Sequence, residues 1–404
     1  KYYMKIGIYF ETLQNTGGSH HQNIRLLELF KKNLPNSYEI NYIVSNEEQK
    51  GIIEEKGSKA VLFKKNLIFR IESFILKLPF FKEIYKKFSL INRFEKFLLS
   101  QKFDLLFFNA PYEISLLVGK INFIVMLLSM QHRTHGFFPE YQKGHDNDLR
   151  DSIIDNAVKK SFKIFVGAEK DKNLLVKFFN ADENKIIVLS YSFTLPNLYE
   201  KNLDYDYEKT YNNLKLPLEK KIFIYPAQFW AHKNHKYIID VCLNLKKDKK
   251  SNIHFVFCGY DNGNLKYVKR LIKENNLEEH ISIFHYLSDF QLISLYLNCY
   301  GVLMPSYIGH TTIPMYEAFF FKKNIFYTKG LSDNSVKNHL TEIDIDNIES
   351  FLDNLKIIEN DKETNEIKLN AAKLFYDKHC DEKKVMSNFE KVFKEYKKIR
   401  DLWD

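Results

Sequence analysis

Four stretches of this chain gather groups that could bind or transform a ligand. In Asn15-Thr16-Gly17-Gly18-Ser19-His20-His21, paired glycines precede a helix-like run. Glycines there let the backbone come close to an anion at the helix N-terminus. The stretch has neither GxGxxG nor GK[ST] and reads equally as a plain turn. His20 and His21 are adjacent, point different ways and make a poor metal pair. Gln131-His132-Arg133-Thr134-His135-Gly136 puts two histidines and an arginine directly after an apolar run. In Pro226-Ala227-Gln228-Phe229-Trp230-Ala231-His232-Lys233-Asn234-His235, Lys233 stands before a helical run. A cation there opposes the helix dipole unless an anion is bound beside it. His232 and His235 have HxxH spacing, but no third ligand is near, so no metal is expected. Pro305 to Glu317 carries Gly309, His310, Thr311, Thr312 and Pro314 at another helix start. Free backbone N–H groups there suit a phosphate. Glu317, one turn in, either favours the dipole or accepts hydrogen bonds from ligand hydroxyls.

These stretches have their place in a regular alternation. Short apolar runs (MKIGIYF, YEINYIVS, FDLLFFNA, INFIVMLLS, FKIFVGA, NKIIVLSYSF) alternate with helical periodicity up to about residue 193. A polar, tyrosine- and asparagine-rich stretch from Pro196 to Pro217 interrupts them. The alternation then resumes with KKIFIYPA, NIHFVFCGY, ISIFHYL, GVLMPS and NIFYTKG. This predicts two α/β domains, each with a parallel sheet, facing across a cleft. The boundaries read as 1–200 for the first domain, 201–217 for a linker and 218–381 for the second. A charged amphipathic helix over 382–404 closes the chain. Ligands of open α/β sheets bind outside the carboxyl ends of the strands, and all four stretches directly follow a predicted strand. Asp204-Tyr205-Asp206 has the DxD form of a metal site, but it falls in the linker and is set aside.

The 404 residues include 60 basic and 51 acidic side chains and are 45% hydrophobic, which excludes global disorder. Four cysteines (Cys242, Cys258, Cys299, Cys380) form no CxxC pair. That pattern excludes a disulfide scaffold and fits core thiols in a reducing compartment, so a cytoplasmic location is expected. No run approaches the length of a membrane-spanning helix. The net charge of +9 comes mostly from lysine, without an arginine-rich or glycine–aromatic RNA-binding signature, so nucleic acid is not expected as a partner. The excess is concentrated between Val61 and Lys102, where ten basic residues meet three acidic ones and nine Phe or Tyr lie among them. That mixture suits either an anionic membrane surface or ordinary amphipathic helices with a solvated lysine face.

PAQFWAHKNH followed about 80 residues later by GHTTIPMYEAF resembles the retaining, nucleotide-sugar-dependent glycosyltransferases of family 4, which have the GT-B fold. The likeness is to the bacterial branch that extends lipopolysaccharide O-antigen or capsule. QHRTHGFFPE is similar to that branch's histidine loop, and ISIFHYLSDFQLISLY to its base-binding strand and helix. The resemblance implies two Rossmann-like domains and a C-terminal crossover helix that returns to the first. It implies transfer of a sugar, without metal or other cofactor, to a growing glycan that is lipid-linked, on the inner face of the membrane. Lys233 would bind the donor diphosphate, Glu317 the nucleotide ribose, and His132 the donor sugar. Gln228, Tyr286, Gly17, Gly18 and the amides of Gly309, His310, Thr311 and Thr312 would complete the donor site. His20, Arg133 and His135 would face the acceptor. The family commonly has arginine at Gln228 and glutamate at Gly309. These departures keep open an alternative, a non-catalytic binding subunit of a glycan assembly complex.

Overall fold

In a computed structural model of the protein, the residues described are 3–11, 18–35, 37–76, 80, 84, 87–88, 90–142, 146–189, 199, 207–247 and 252–402. Seven strands form the first sheet: β1 (Met4–Tyr9), β2 (Tyr38–Val44), β3 (Lys59–Leu62), β4 (Leu105–Phe108), β5 (Asn122–Met126), β6 (Lys163–Val166) and β7 (Ile186–Val188). Their order is β3-β2-β1-β4-β5-β6-β7, and every pair is parallel. Six strands form the second: β8 (Lys221–Pro226), β9 (Ile253–Cys258), β10 (Ile281–Phe284), β11 (Gly301–Met304), β12 (Asn324–Thr328) and β13 (Thr341–Ile343). Their order is β10-β9-β8-β11-β12-β13, again all parallel. The central strands are buried on both faces, as continuous apolar runs such as Leu105–Phe108 require.

Each sheet reverses its winding once, between β1 and β4 in the first domain and between β8 and β11 in the second. A crevice opens at such a switch point, because the chain leaves the two neighbouring strands in opposite directions. The loops after β8 and β11 therefore meet at the second crevice. The loop after β1 belongs to the first, but residues 12–17 lie outside those described. So do Asp204, Tyr205 and Asp206.

β3 and β13 are four and three residues long and have no sequence signal that sets them apart from their loops. Part of the segment read as linker is also ordered. Tyr207–Asn213 is helical, and Tyr211 is buried in the second domain's core. The four cysteines are buried.

The final helix, Glu382–Arg400, leaves the second domain and packs on the first. Phe389 lies edge-on to Phe30 at 5.0 Å and against Phe165 at 4.7 Å. The Tyr396 hydroxyl donates to the Asp104 carbonyl at 2.8 Å, and Arg400 pairs with the Asp104 carboxylate at 3.1 Å. Its apolar stripe completes the first domain's core.

Candidate active site

Residues from both domains build the site. In the second domain, Ala231–Lys233 form a single tight turn after β8, and Asn234 then takes a left-handed conformation (φ 54°). The Tyr225 hydroxyl holds the Lys233 carbonyl at 2.7 Å. The backbone is thus pinned, while the ammonium has no ion-pair partner among the described residues. Burial lowers the Lys233 pKa to about 8, with Glu140 opposing the shift. An unpaired, desolvated ammonium is costly unless an anion joins it.

The loop after β11 lies alongside. Tyr307 N–H donates to the His232 carbonyl at 2.9 Å, and the Ser306 hydroxyl lies 3.3 Å from the same oxygen. The β8 and β11 loops are therefore laced together. Gly309 has φ 119°, a conformation open to glycine and strained for other residues. The Tyr327 hydroxyl donates to its carbonyl at 2.6 Å. The amides of Thr311 and Thr312 find no acceptor among the described residues. They precede a helix over Ile313–Phe320 with Pro314 in its first turn. Glu317 is buried in that helix near Tyr296 and Cys258. Burial and the nearby Glu317 push the Cys258 thiol up to about 12.

Gly259, directly after β9, supports the same loops. A β-carbon there would sit 2.3 Å from the Ala227 carbonyl oxygen and 2.8 Å from the Gln228 nitrogen. Gln228 accepts a hydrogen bond from the Trp230 indole at 2.9 Å. Tyr286 is exposed beyond β10, with its ring 6.2 Å from Tyr260. It is placed to offer an aromatic face.

The first domain contributes the loop after β5. His132 is buried, and its Nε2 lies 2.9 Å from Asp151 Oδ1. The Arg133 Nε lies 2.9 Å from the same oxygen. Burial lowers the His132 pKa, with Asp151 pulling the other way. Both side chains thus engage a carboxylate of their own domain. His135 lies 2.8 Å from the Thr134 hydroxyl and stacks near Phe138. Gly18 and His20 begin the helix Gly18–Asn33; Gly17 and the side chain of His20 lie outside what the structure describes.

The cleft is crossed by Gln131, Glu140, Lys170 and Asp171 of the first domain, to which the sequence assigns no role, and they meet the loops of the second domain, Gly309 and His310 included. Gln131 Oε1 accepts from the Gly309 N–H at 2.7 Å, so this amide faces the first domain and is not left open for a donor. Gln131 Nε2 lies 3.0 Å from His310 Nε2, and His310 Nδ1 lies 2.9 Å from Asp171 Oδ1. The Thr311 hydroxyl donates to the Gly167 carbonyl at 3.2 Å. Glu140 accepts from the His232 backbone N–H at 3.1 Å and also meets its ring. Lys170 N–H donates to Asp333 at 3.0 Å, and its ammonium reaches the Gly330 carbonyl at 2.6 Å. Gln131 stood in a stretch already singled out, overshadowed by its histidines. Asp171, in the first turn of a helix over Glu169–Phe179, reads locally as a dipole-favouring acid. Among the described residues no three His, Cys, Asp or Glu side chains cluster to hold a metal.

Residues 206–374, the part of the chain with Lys233 and Glu317, match the family model of glycosyl transferases group 1. The match spans most of the second domain. The whole chain has the GT-B fold, as solved structures of low identity show. A glycosyltransferase from Rickettsia africae ESF-5 is 16% identical, with TM-score 0.69 and 98% of each chain covered. Anabaena Alr3699/HepE in complex with UDP and glucose is 11% identical, with TM-score 0.71, covering 97% of this chain and 100% of that one. WaaG, a glycosyltransferase involved in lipopolysaccharide biosynthesis, is 11% identical, with TM-score 0.64, covering 92% and 95%. No curated protein matches in sequence. Lys233, the Thr311 and Thr312 amides and Glu317 all lie in the matched segment, and the Gln131 loop meets it from the first domain.

Proposed function

We propose that the protein is a retaining glycosyltransferase that moves a sugar from a nucleotide-sugar to a hydroxyl of a growing, lipid-linked bacterial surface glycan. The observation that carries this reading is Lys233, whose ammonium has no ion-pair partner among the described residues, on a β8 loop bonded to the β11 loop that leads to the Thr311 and Thr312 amides. Breaking a glycosyl–phosphate bond builds positive charge on the sugar and negative charge on the departing diphosphate. Fixed donors and a lysine stabilise that leaving group. They supply this charge without a metal, so on this reading none is required. Glu317 serves the ribose, and Tyr286 gives the base a ring to stack on. Among the described residues the cleft loops offer no carboxylate placed as a nucleophile on the sugar: Asp171 and Glu140 are engaged across the cleft, and Glu317 is assigned to the ribose. A same-face route follows, in which the leaving phosphate takes the acceptor proton and configuration is retained.

Two neighbours support the donor and acceptor classes by analogy, the HepE complex with UDP and glucose and WaaG of lipopolysaccharide synthesis. Gln228 and Gly309, standing where arginine and glutamate are common, favour the second reading, a non-catalytic binding subunit. Transfer of labelled sugar to a lipid-linked acceptor decides between them. The expected product keeps the donor's anomeric configuration by NMR. Inversion, or donor binding without transfer, would contradict the main reading.

The acceptor's lipid anchor gives a role to the basic region of the first domain. The helix Leu67–Ile75 buries Phe69 against Phe63 and leaves Leu67, Ile68, Ile71 and Phe74 exposed. Arg70, Lys87, Arg93 and Lys96 are exposed in the same region. We read this face as resting on an anionic bilayer, with apolar side chains inserted and basic ones at the headgroups. No helix among the described residues is long and apolar enough to cross a membrane. The protein is expected to float with phosphatidylglycerol vesicles at low salt and to be released as salt rises. Failure to co-float at low salt would remove the membrane from this account.

A further inference from the structure

Gln131 is 2% exposed, yet it belongs to one domain and makes both its side-chain contacts to the other. The polarity of those contacts is determined at one end. The Gly309 N–H can only donate, so the oxygen of the Gln131 carboxamide must face it. The NH2 then faces His310 Nε2, which must present a lone pair at 3.0 Å. A neutral His310 therefore carries its proton on Nδ1, where it is donated to Asp171 at 2.9 Å. Every donor in the series meets one acceptor. The order is Gly309 N–H to Gln131, Gln131 to His310, and His310 to Asp171.

These bonds bear on the loop's shape. Gly309 is held by Gln131 at its N–H and by Tyr327 at its carbonyl, with φ at 119°. The His310 carbonyl accepts from Asp333 N–H at 2.9 Å, and Gly167 leaves just enough room for the Thr311 hydroxyl, 3.2 Å from where a β-carbon would be. Thr311 and Thr312, whose amides find no acceptor among the described residues, come next in the chain. The first domain thus grips the loop immediately before the groups that would receive a diphosphate.

We propose that Gln131 is a positioning residue. Through His310 in its Nδ1–H form and Asp171, it holds the Gly309–Thr312 loop in the shape that binds the donor, and in the same act it joins the two domains. This rests on the donor-site reading above.

The test uses the full chain with nitrogen-15-labelled histidine, and two variants. In the wild type, NMR is expected to show His310 as the neutral Nδ1–H tautomer, the less common form in solution; His310→Gln assigns the signal. Gln131→Glu replaces the NH2 by a second acceptor, which pairs with His310 only if Nε2 carries a proton; with Nδ1–H still given to Asp171, the imidazolium signature is expected. The Asp171 carboxylate, 2.9 Å from Nδ1, faces the ring from the other side. Gln131→Leu keeps the volume and removes both bonds. Whichever of UDP, GDP, dTDP, CDP and ADP stabilises the wild type should bind at least about tenfold more weakly to it. Melting without nucleotide checks that the variant is folded.

A wild-type His310 protonated on Nε2 at neutral pH would overturn the proposal. So would a Gln131→Leu protein that binds nucleotide as the wild type does. If no nucleotide stabilises the wild type, the donor-site reading fails instead. The tautomer, with spin-label distances between the domains in Gln131→Leu, then still decides whether the bridge joins them.

Discussion

Lys233→Ala is expected to abolish measurable transfer, lowering the rate by about 10²–10³-fold, the usual loss when one fixed donor to a developing anion is removed. Nucleotide affinity should fall about 10–100-fold, since a hydrogen bond to a charged group contributes about 1.5–3 kcal/mol. The fold should survive and even gain slightly, because the substitution relieves an unpaired, desolvated ammonium. The pH dependence has a definite sign. The free lysine titrates near 8, and its charged form binds the anion. Affinity should therefore hold between pH 6.5 and about 7.5 and decline as pH rises through about 8. Calorimetric titration of wild type and variant across that range measures both effects. Near-wild-type transfer by Lys233→Ala would remove Lys233 from the mechanism.

Gly259→Ala is expected to be the most damaging single methyl in the second domain. The new carbon would lie 2.3 Å from the Ala227 carbonyl oxygen, closer than any real contact, and its neighbours there are backbone atoms that cannot rotate away. The loop carrying Gln228 and Lys233 must move, or β9 must shift. Overpacking of this kind costs about 1–3 kcal/mol, and more where only backbone can yield. A fall in Tm by several degrees together with weakened nucleotide binding is expected. Calorimetry with and without nucleotide measures it; an unchanged Tm would show that the two loops are not in the close contact described here. Gly263, with nothing within 4 Å of a new β-carbon but φ 101°, is a control for backbone strain alone.

Most of the fold was legible because both sheets are parallel and doubly covered. Their strands read as bare apolar runs, and the loops after them stand out by contrast. The Lys233 and Thr311–Thr312 loops were legible for the same reason. Three things were not. β3 and β13 are too short to carry periodicity of their own. Tyr207–Asn213 reads as polar linker because its one buried anchor, Tyr211, is surrounded by Glu, Lys and Asn. The cross-cleft contacts were also hidden, since Gln131 and Gly309 stand 178 positions apart and neither carries a local sign of the other. Two histidines drew notice for their chemistry. Yet the structure turns His132 toward Asp151, and it is the plain carboxamide beside it that crosses the cleft.

The central claim is that the β8/β11 crevice holds a nucleoside diphosphate. Thermal unfolding in the presence of UDP, GDP, dTDP, CDP, ADP and CMP tests it most directly. A ligand that binds only the folded state at a hundredfold excess over Kd contributes about 2.7 kcal/mol. For a domain of this size, that is roughly 5–10 °C in Tm. The account predicts such a shift for at least one diphosphate, a smaller one or none for CMP, and a shift cut to about half or less in Lys233→Ala. A cooperative transition unmoved by every nucleotide, or moved equally in Lys233→Ala, would contradict it.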